Sequence, residues 1–260
     1  MPDSERHLKH PPLAEALLEV KWALETRNGQ EVNDPGYPLI VGRLYDRLAP
    51  AYPEVEHLVP QEVPASVTLH MVRHRFRKAK GQWPLVQVGP GVLTLNEACE
   101  YRWRGFKERA IALLPKLYEA YPTGHALPVN SLLLRYINTR EFDFEKADVL
   151  EFLQSKMRTK VGLPGELFAN GTVQQQPLGL RLNLTFPLAE PKGVIDINFG
   201  VGKSGERPAL IWEFLVRSRD ADVPRLPDGF PAWLKSAHDV IELWFFELAK
   251  GDLQAEFDKP

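Results

Sequence analysis

The order strand-like run, helix, three strand-like runs, helix occurs once before about residue 125 and again after it. Matching elements lie roughly 110 to 130 residues apart, with the boundary error of any reading by eye. A repeat of pattern over such a period constrains architecture more than any single motif does. Residue identity between the halves is negligible, so the repeat lies in the alternation of apolar and polar positions.

In the first half, Leu13 to Leu24 reads as a strand. Tyr37, Ile40, Val41, Leu44 and Leu48 recur at helical spacing, and Pro50 and Pro53 stop that helix. Val67 to Arg77 alternates as a strand. Trp83–Val88 and Val92–Leu95 flank the turn Gly89-Pro90-Gly91. Asn96 is the expected N-cap of a helix whose apolar stripe is Trp103, Phe106, Ala110, Leu113 and Leu117.

In the second half, Leu132 to Phe144 reads as a strand and Val149, Leu150, Leu153 and Met157 as a helix. Leu180, Leu182, Leu184 and Phe186 share one strand face, with Arg181, Asn183 and Thr185 on the other. Val194–Val201 and Ala209–Arg217 flank a Gly-rich turn. A last helix buries Trp233, Ala237, Val240, Ile241, Trp244, Phe245 and Leu248.

Strands joined by short turns are antiparallel, and a helix with one apolar stripe covers one side of a sheet. The expected fold is therefore α+β. Two β-α-β-β-β-α units, at 11–125 and 126–260 after a flexible tail at 1–10, form one broad curved antiparallel sheet with helices on one face. The layout resembles the saddle of the TATA-binding protein and the helix-grip ligand-binding proteins, a likeness that carries no function.

The 260 residues are 44% hydrophobic and 25% charged, an ordinary globular balance. One cysteine, Cys99, rules out an intrachain disulfide and a cysteine-cluster zinc site. No apolar run approaches the roughly 20 residues of a membrane span, and the N-terminus lacks a signal peptide's apolar stretch. The expected location is the cytoplasm. A formal charge of −2 provides no global attraction for nucleic acid.

The motifs favour the scaffold over chemistry. Gly202-Lys203-Ser204 lacks the earlier glycine of a phosphate-binding loop, since that position is Ile197, and it lies between strands. His238-Asp239 resembles the doublet of metal-dependent phosphohydrolases, without the further ligands those need. His70 and His74 are expected on one strand face, and no spacing argues for a metal or other cofactor. Glu19-Val20-Lys21 is comparable to the Glu-x-Glu-x-Lys strand of triphosphate-tunnel enzymes, with Leu17 in place of the first glutamate. Arg73, Arg75 and Arg77 project to one side of a strand over roughly 13 Å, in a basic hairpin that runs into Lys80. No catalytic set is marked out.

Pro11-Pro12-Leu13-x-Glu15-Ala16-x-x-Glu19-Val20, Gln87-Val88-Gly89-Pro90-Gly91-Val92-Leu93-Thr94-Leu95-Asn96, Tyr101-x-Trp103-x-x-Phe106 and His238-Asp239-x-Ile241 with Phe245 span nearly the whole chain. Together they resemble a family of sporadically distributed bacterial proteins of about this length, for which no activity is assigned. The resemblance implies a prokaryotic cytosolic protein from a mobile cassette, such as a defence or toxin–antitoxin locus. It transfers no catalytic residue.

The expected role is a non-enzymatic partner of another protein. It would bind through the open sheet face, at Glu19, Lys21, Arg73, Arg75, Arg77, Arg135, Arg181 and Arg217, or through the basic hairpin. A small-molecule or nucleotide-phosphate site on the same residues is the first alternative, and nucleic-acid binding the second. A homo-oligomer is compatible with each.

Overall fold

The computed structural model describes residues 6, 8–60, 62–98, 100–122 and 127–259. The chain opens with β1 (Leu13–Trp22), the short hairpin β2 (Glu25–Arg27) and β3 (Gln30–Asn33), and helix α1 (Tyr37–Leu48). Strands β4 (Glu54–His57), β5 (His74–Arg77), β6 (Leu85–Gly89) and β7 (Val92–Glu97) follow, then α2 (Trp103–Ala120). The second half runs β8 (Val129–Glu141), α3 (Val149–Lys156), β9 (Arg181–Leu188), β10 (Gly193–Ser204), β11 (Arg207–Arg219), α4 (Phe230–Ala249) and α5 (Asp252–Phe257).

Nine strands form one antiparallel sheet in the order β4-β5-β6-β7-β1-β8-β11-β10-β9. Its centre is the β1–β8 pair, with Leu18 opposite Leu134. On each side the next three strands are laid down from the outside inward, β5-β6-β7 against β1 and β9-β10-β11 against β8. The doubled plan is therefore visible in the topology. β4 is an addition to the first half only. The sheet keeps two edges, β4 and β9, and does not close into a barrel.

Strand alternation separates two faces. Ala16, Leu18, Val20 and Trp22 of β1, Leu132 and Leu134 of β8, Trp212, Phe214 and Val216 of β11 and Ile195, Ile197 and Phe199 of β10 are buried in one core. The helices bring Ile40 and Leu44 of α1, Phe106 and Leu117 of α2, Leu153 of α3, Trp233 and Ile241 of α4 and Leu253 of α5 to the same core. Burying side chains of this size is worth about 1.5–3 kcal/mol each. Among the described residues no helix is long and apolar enough to cross a membrane.

Several local expectations are corrected. Val67 to Arg77 is not one strand: pairing begins at His74, and His70 takes a positive φ of 57° in a turn. A further strand, β4, lies inside the proline-flanked stretch 53–60, where the sequence shows only a helix stop. Asn96 caps no helix. It lies in β7 opposite Leu85, and Arg102 occupies the N-cap of α2. Of the expected tail, residues 1–5 and 7 fall outside the described residues, as do Cys99 and His125. Leu8 packs on the core, and the His10 N–H donates to the Phe257 carbonyl at 2.8 Å.

Candidate functional site

The face away from the helices carries most of the expected site. Glu15, Leu17, Glu19 and Lys21 of β1 point there, opposite Ile137, Arg135, Leu133 and Ser131 of β8. β11 adds Ile211, Glu213, Leu215 and Arg217. Charged and apolar side chains thus alternate both along and across the strands. Lys21, Glu19, Arg135 and Arg217 are between about a quarter and a third exposed, at 31%, 23%, 34% and 27%. This partial exposure does not run across the whole face, since Val92, Thr94 and Asn96 of β7 and Leu85 and Gln87 of β6, which share it, are buried.

The charges on this face are matched locally. Lys21 Nζ lies 3.0 Å from Glu19 Oε1. Arg135 Nη2 donates to Glu213 at 2.5 Å, and Glu213 in turn accepts from Asn198. Arg217 Nη2 lies 3.2 Å from the buried Asp196, which also accepts from Thr185. Arg75 and Arg77 share Glu56 at 3.2 and 3.0 Å. Arg75 also donates to Gln87, from which the buried chain Gln87–Thr94–Asn96–Glu15 runs across three strands.

The sequence-derived residues thus divide. Glu19, Lys21, Arg75, Arg77, Arg135 and Arg217 share the face, with Arg181 exposed at the start of β9 opposite Gly200. They do not converge: Arg75 and Arg217 are five strand spacings apart, about 24 Å. Arg73 turns inward, donating to Thr68 Oγ1 at 2.9 Å and the Val63 carbonyl at 2.7 Å. Arg73 and Arg77 are each 8% exposed, so the basic hairpin does not present a row of open cations. The open sheet also removes the tunnel that the Glu19/Lys21 comparison needs.

The histidines are dispersed. His70 contacts Glu31 Oε2 at 2.7 Å and the Gly91 carbonyl. His74 meets the Tyr37 hydroxyl at 2.7 Å. Burial, His57 and Arg73 hold the His74 imidazole below its ordinary value, while burial pushes the Tyr37 phenol up. A neutral imidazole Nδ1 accepting from a neutral phenol satisfies both. Among the described residues no group of three or more His, Cys, Asp or Glu is placed to hold a metal.

A second site was not anticipated. Tyr101, Tyr136 and His238 form a string, with hydroxyl to hydroxyl at 2.6 Å and hydroxyl to Nδ1 at 2.8 Å. They border a cavity of about 190 Å³ between the end of the sheet and helices α2 and α4. Pro11, Pro12 and Leu13, Tyr101 and Trp103, and His238, Ile241 and Phe245 all line it. Three separate stretches of the motif pattern noted in the sequence therefore meet at one place.

Comparison with known proteins gives no family. No protein-family model matches the chain, and a search of curated proteins finds no match. The sites therefore rest on their own geometry.

Two features of the cavity go beyond packing. Trp103 is 4% exposed, and its Nε1–H has no hydrogen-bond partner among the described residues. An unmet buried donor of this kind costs about 1–3 kcal/mol. Asn138 is 3% exposed and donates Nδ2 to the Trp212 carbonyl at a long 3.4 Å. The sequence signal for this site is a polar residue on an apolar stripe. His238 falls between Leu234 and Ile241 on α4, and Asn138 continues the core-facing series Leu132, Leu134, Tyr136.

Proposed function

We propose that the chain is a non-enzymatic binding protein that engages a second protein through the open sheet face, as a component of a bacterial multi-gene system in the cytoplasm. The observation that carries this reading is the face itself. It alternates Leu17, Leu133, Ile137 and Leu215 with arginines whose charges are already matched by Glu213 and Asp196. Arginine held in place among apolar side chains suits protein recognition, because little side-chain freedom remains to be lost on binding.

Nucleotide phosphate draws less support. Arg75 and Arg77, and Arg135 and Arg217, form two close pairs on opposite halves of the sheet, and each pair already faces carboxylates. Nucleic-acid binding would show steep salt dependence, and the inward Arg73 and Arg77 weigh against it.

The test is co-expression of the chain with the products of its neighbouring genes. A stoichiometric complex is expected. Exchanging the charges of one pair, Arg135→Glu with Glu213→Arg, reverses both charges while keeping them matched, and is expected to abolish it while leaving the thermal midpoint within a few degrees. A complex that survives both charge reversals, or no complex with any neighbour product, overturns the reading.

A further inference from the structure

We propose that the cavity at Trp103 is a binding site for a small, uncharged, planar ring compound carrying both a hydrogen-bond acceptor and a donor. This goes beyond the partner-binding reading and does not depend on it, since the cavity lies away from the open face.

Size sets the first limit. A cavity of about 150 Å³ with apolar walls holds benzene, and drug-sized ligands need about 300 Å³ or more. At about 190 Å³ this one has room for a single ring with its substituents, or a compact double ring.

The walls set the shape. Tyr101, Trp103, Tyr136, Phe214 and Phe245 surround the space with aromatic carbon. His238 covers one side of the Trp103 indole, with ring centroids 3.7 Å apart and planes 12° from parallel. The Lys107 ammonium stands over the indole at 6.0 Å from its centroid. With one face under His238, Trp103 borders the cavity with an unpartnered Nε1–H on its edge. A ligand acceptor would complete that donor.

Asn138 supplies the complementary group. Its Nδ2 is committed to the Trp212 carbonyl, leaving Oδ1 as an acceptor for a ligand N–H. Among the described residues, the charged side chains lining the cavity balance: Arg6 and Arg102 against Glu100 and Glu242. No net field selects an anion or a cation, which points to a neutral ligand. Nucleobases, aromatic amides and lactams belong to this class.

Ligand-observed NMR and calorimetry on the full chain test the site, with nicotinamide, uracil and adenine as neutral planar probes. Benzoate serves as the charged control and cyclohexanecarboxamide as the non-planar one. At least one neutral planar probe is expected to bind more tightly than both controls. Ala98→Leu, which fills the cavity and removes no hydrogen bond, is expected to abolish that binding. Trp103→Phe, which keeps a ring and deletes the donor, is expected to weaken it about tenfold. Failure of all three probes at millimolar concentration overturns the proposal. So does binding unchanged in Ala98→Leu with the fold intact by circular dichroism, or a preference for benzoate. If Trp103→Phe does not fold, Ala98→Leu alone decides.

Discussion

His238 lies flat on Trp103 while its Nδ1 meets the Tyr136 hydroxyl, so one imidazole ties α4 to both α2 and the central strand β8. Removing the ring opens a hole between three elements. His238→Ala is expected to cost about 2–4 kcal/mol, and His238→Phe, which keeps the stack and loses the hydrogen bond, about 1–2 kcal/mol. Urea unfolding of both variants measures this. A wild-type midpoint in His238→Ala would mean that the stack holds nothing together.

Asp34 is a second tie point. Buried to 3% exposure, it accepts from Trp22 Nε1 at 3.0 Å and from the backbone N–H groups of Gly36 and Gly91 at 3.1 and 2.9 Å. One carboxylate thus joins β1, the entry to α1 and the β6–β7 turn. Asp34→Ala leaves three buried donors unmet and is expected to cost about 3 kcal/mol or more. Urea denaturation followed by far-UV circular dichroism reports the loss. A cost under about 1 kcal/mol would show that water replaces the carboxylate freely.

Glu97 and Arg109 form an ion pair on the helix side of the sheet, and Glu97 is only 4% exposed. Burial pushes the Glu97 carboxyl up, against the pull of Arg109. Breaking such a pair from one side costs more than deleting it. Arg109→Met is expected to cost about 2–3 kcal/mol, reduced from the fully buried range because the arginine is partly exposed. Adding Glu97→Leu should restore most of that loss. Equal stabilities for the single and double variants in chemical denaturation would contradict the pairing argument.

Acid sensitivity should run through His74. Its folded imidazole sits below the ordinary 6.5, so it contributes stability that is full above pH 6.5 and is lost as pH falls through the folded value. Thermal midpoints measured from pH 7.5 down to 5 should therefore fall less in His74→Gln than in the natural chain. Parallel curves would assign the acid limb to other groups.

The doubled order of elements was legible because each hairpin has local turn chemistry and each helix a continuous stripe. Gly89-Pro90-Gly91 marks β6–β7, and the Trp233 to Leu248 series marks α4. Asn96 misled because a short polar side chain after a strand also suits a cap. Pairing with β1 carries β7 two residues past Leu95, to Glu97, and long-range register outweighs the local preference. β4 was hidden since its four residues hold no periodicity and pair only with β5. Alternation alone puts Glu19, Lys21, Arg75, Arg77, Arg135, Arg181 and Arg217 on one face, whereas Arg73, just ahead of β5, turns inward, and the ion-pair partners depend on cross-strand register. The cavity was the least legible part. Pro12, Trp103 and His238 lie far apart in sequence, and only the assembled sheet end brings them together.

The two edges of the sheet differ in kind. β4 is four residues long, presents Glu54 and Glu56, and is preceded by Pro53. β9 is eight residues long, with Leu184 39% and Phe186 43% exposed beside the apolar groove under Trp244. Charge and brevity discourage strand addition along the whole of β4, whereas β9 has only Arg181 at its start and Pro187 near its end to do so. A slab that can be lengthened from one end alone can meet its own kind only once, face to face at that end. Strand addition through β9, were it to occur, would end with a pair, because each copy's other end is the blunt β4.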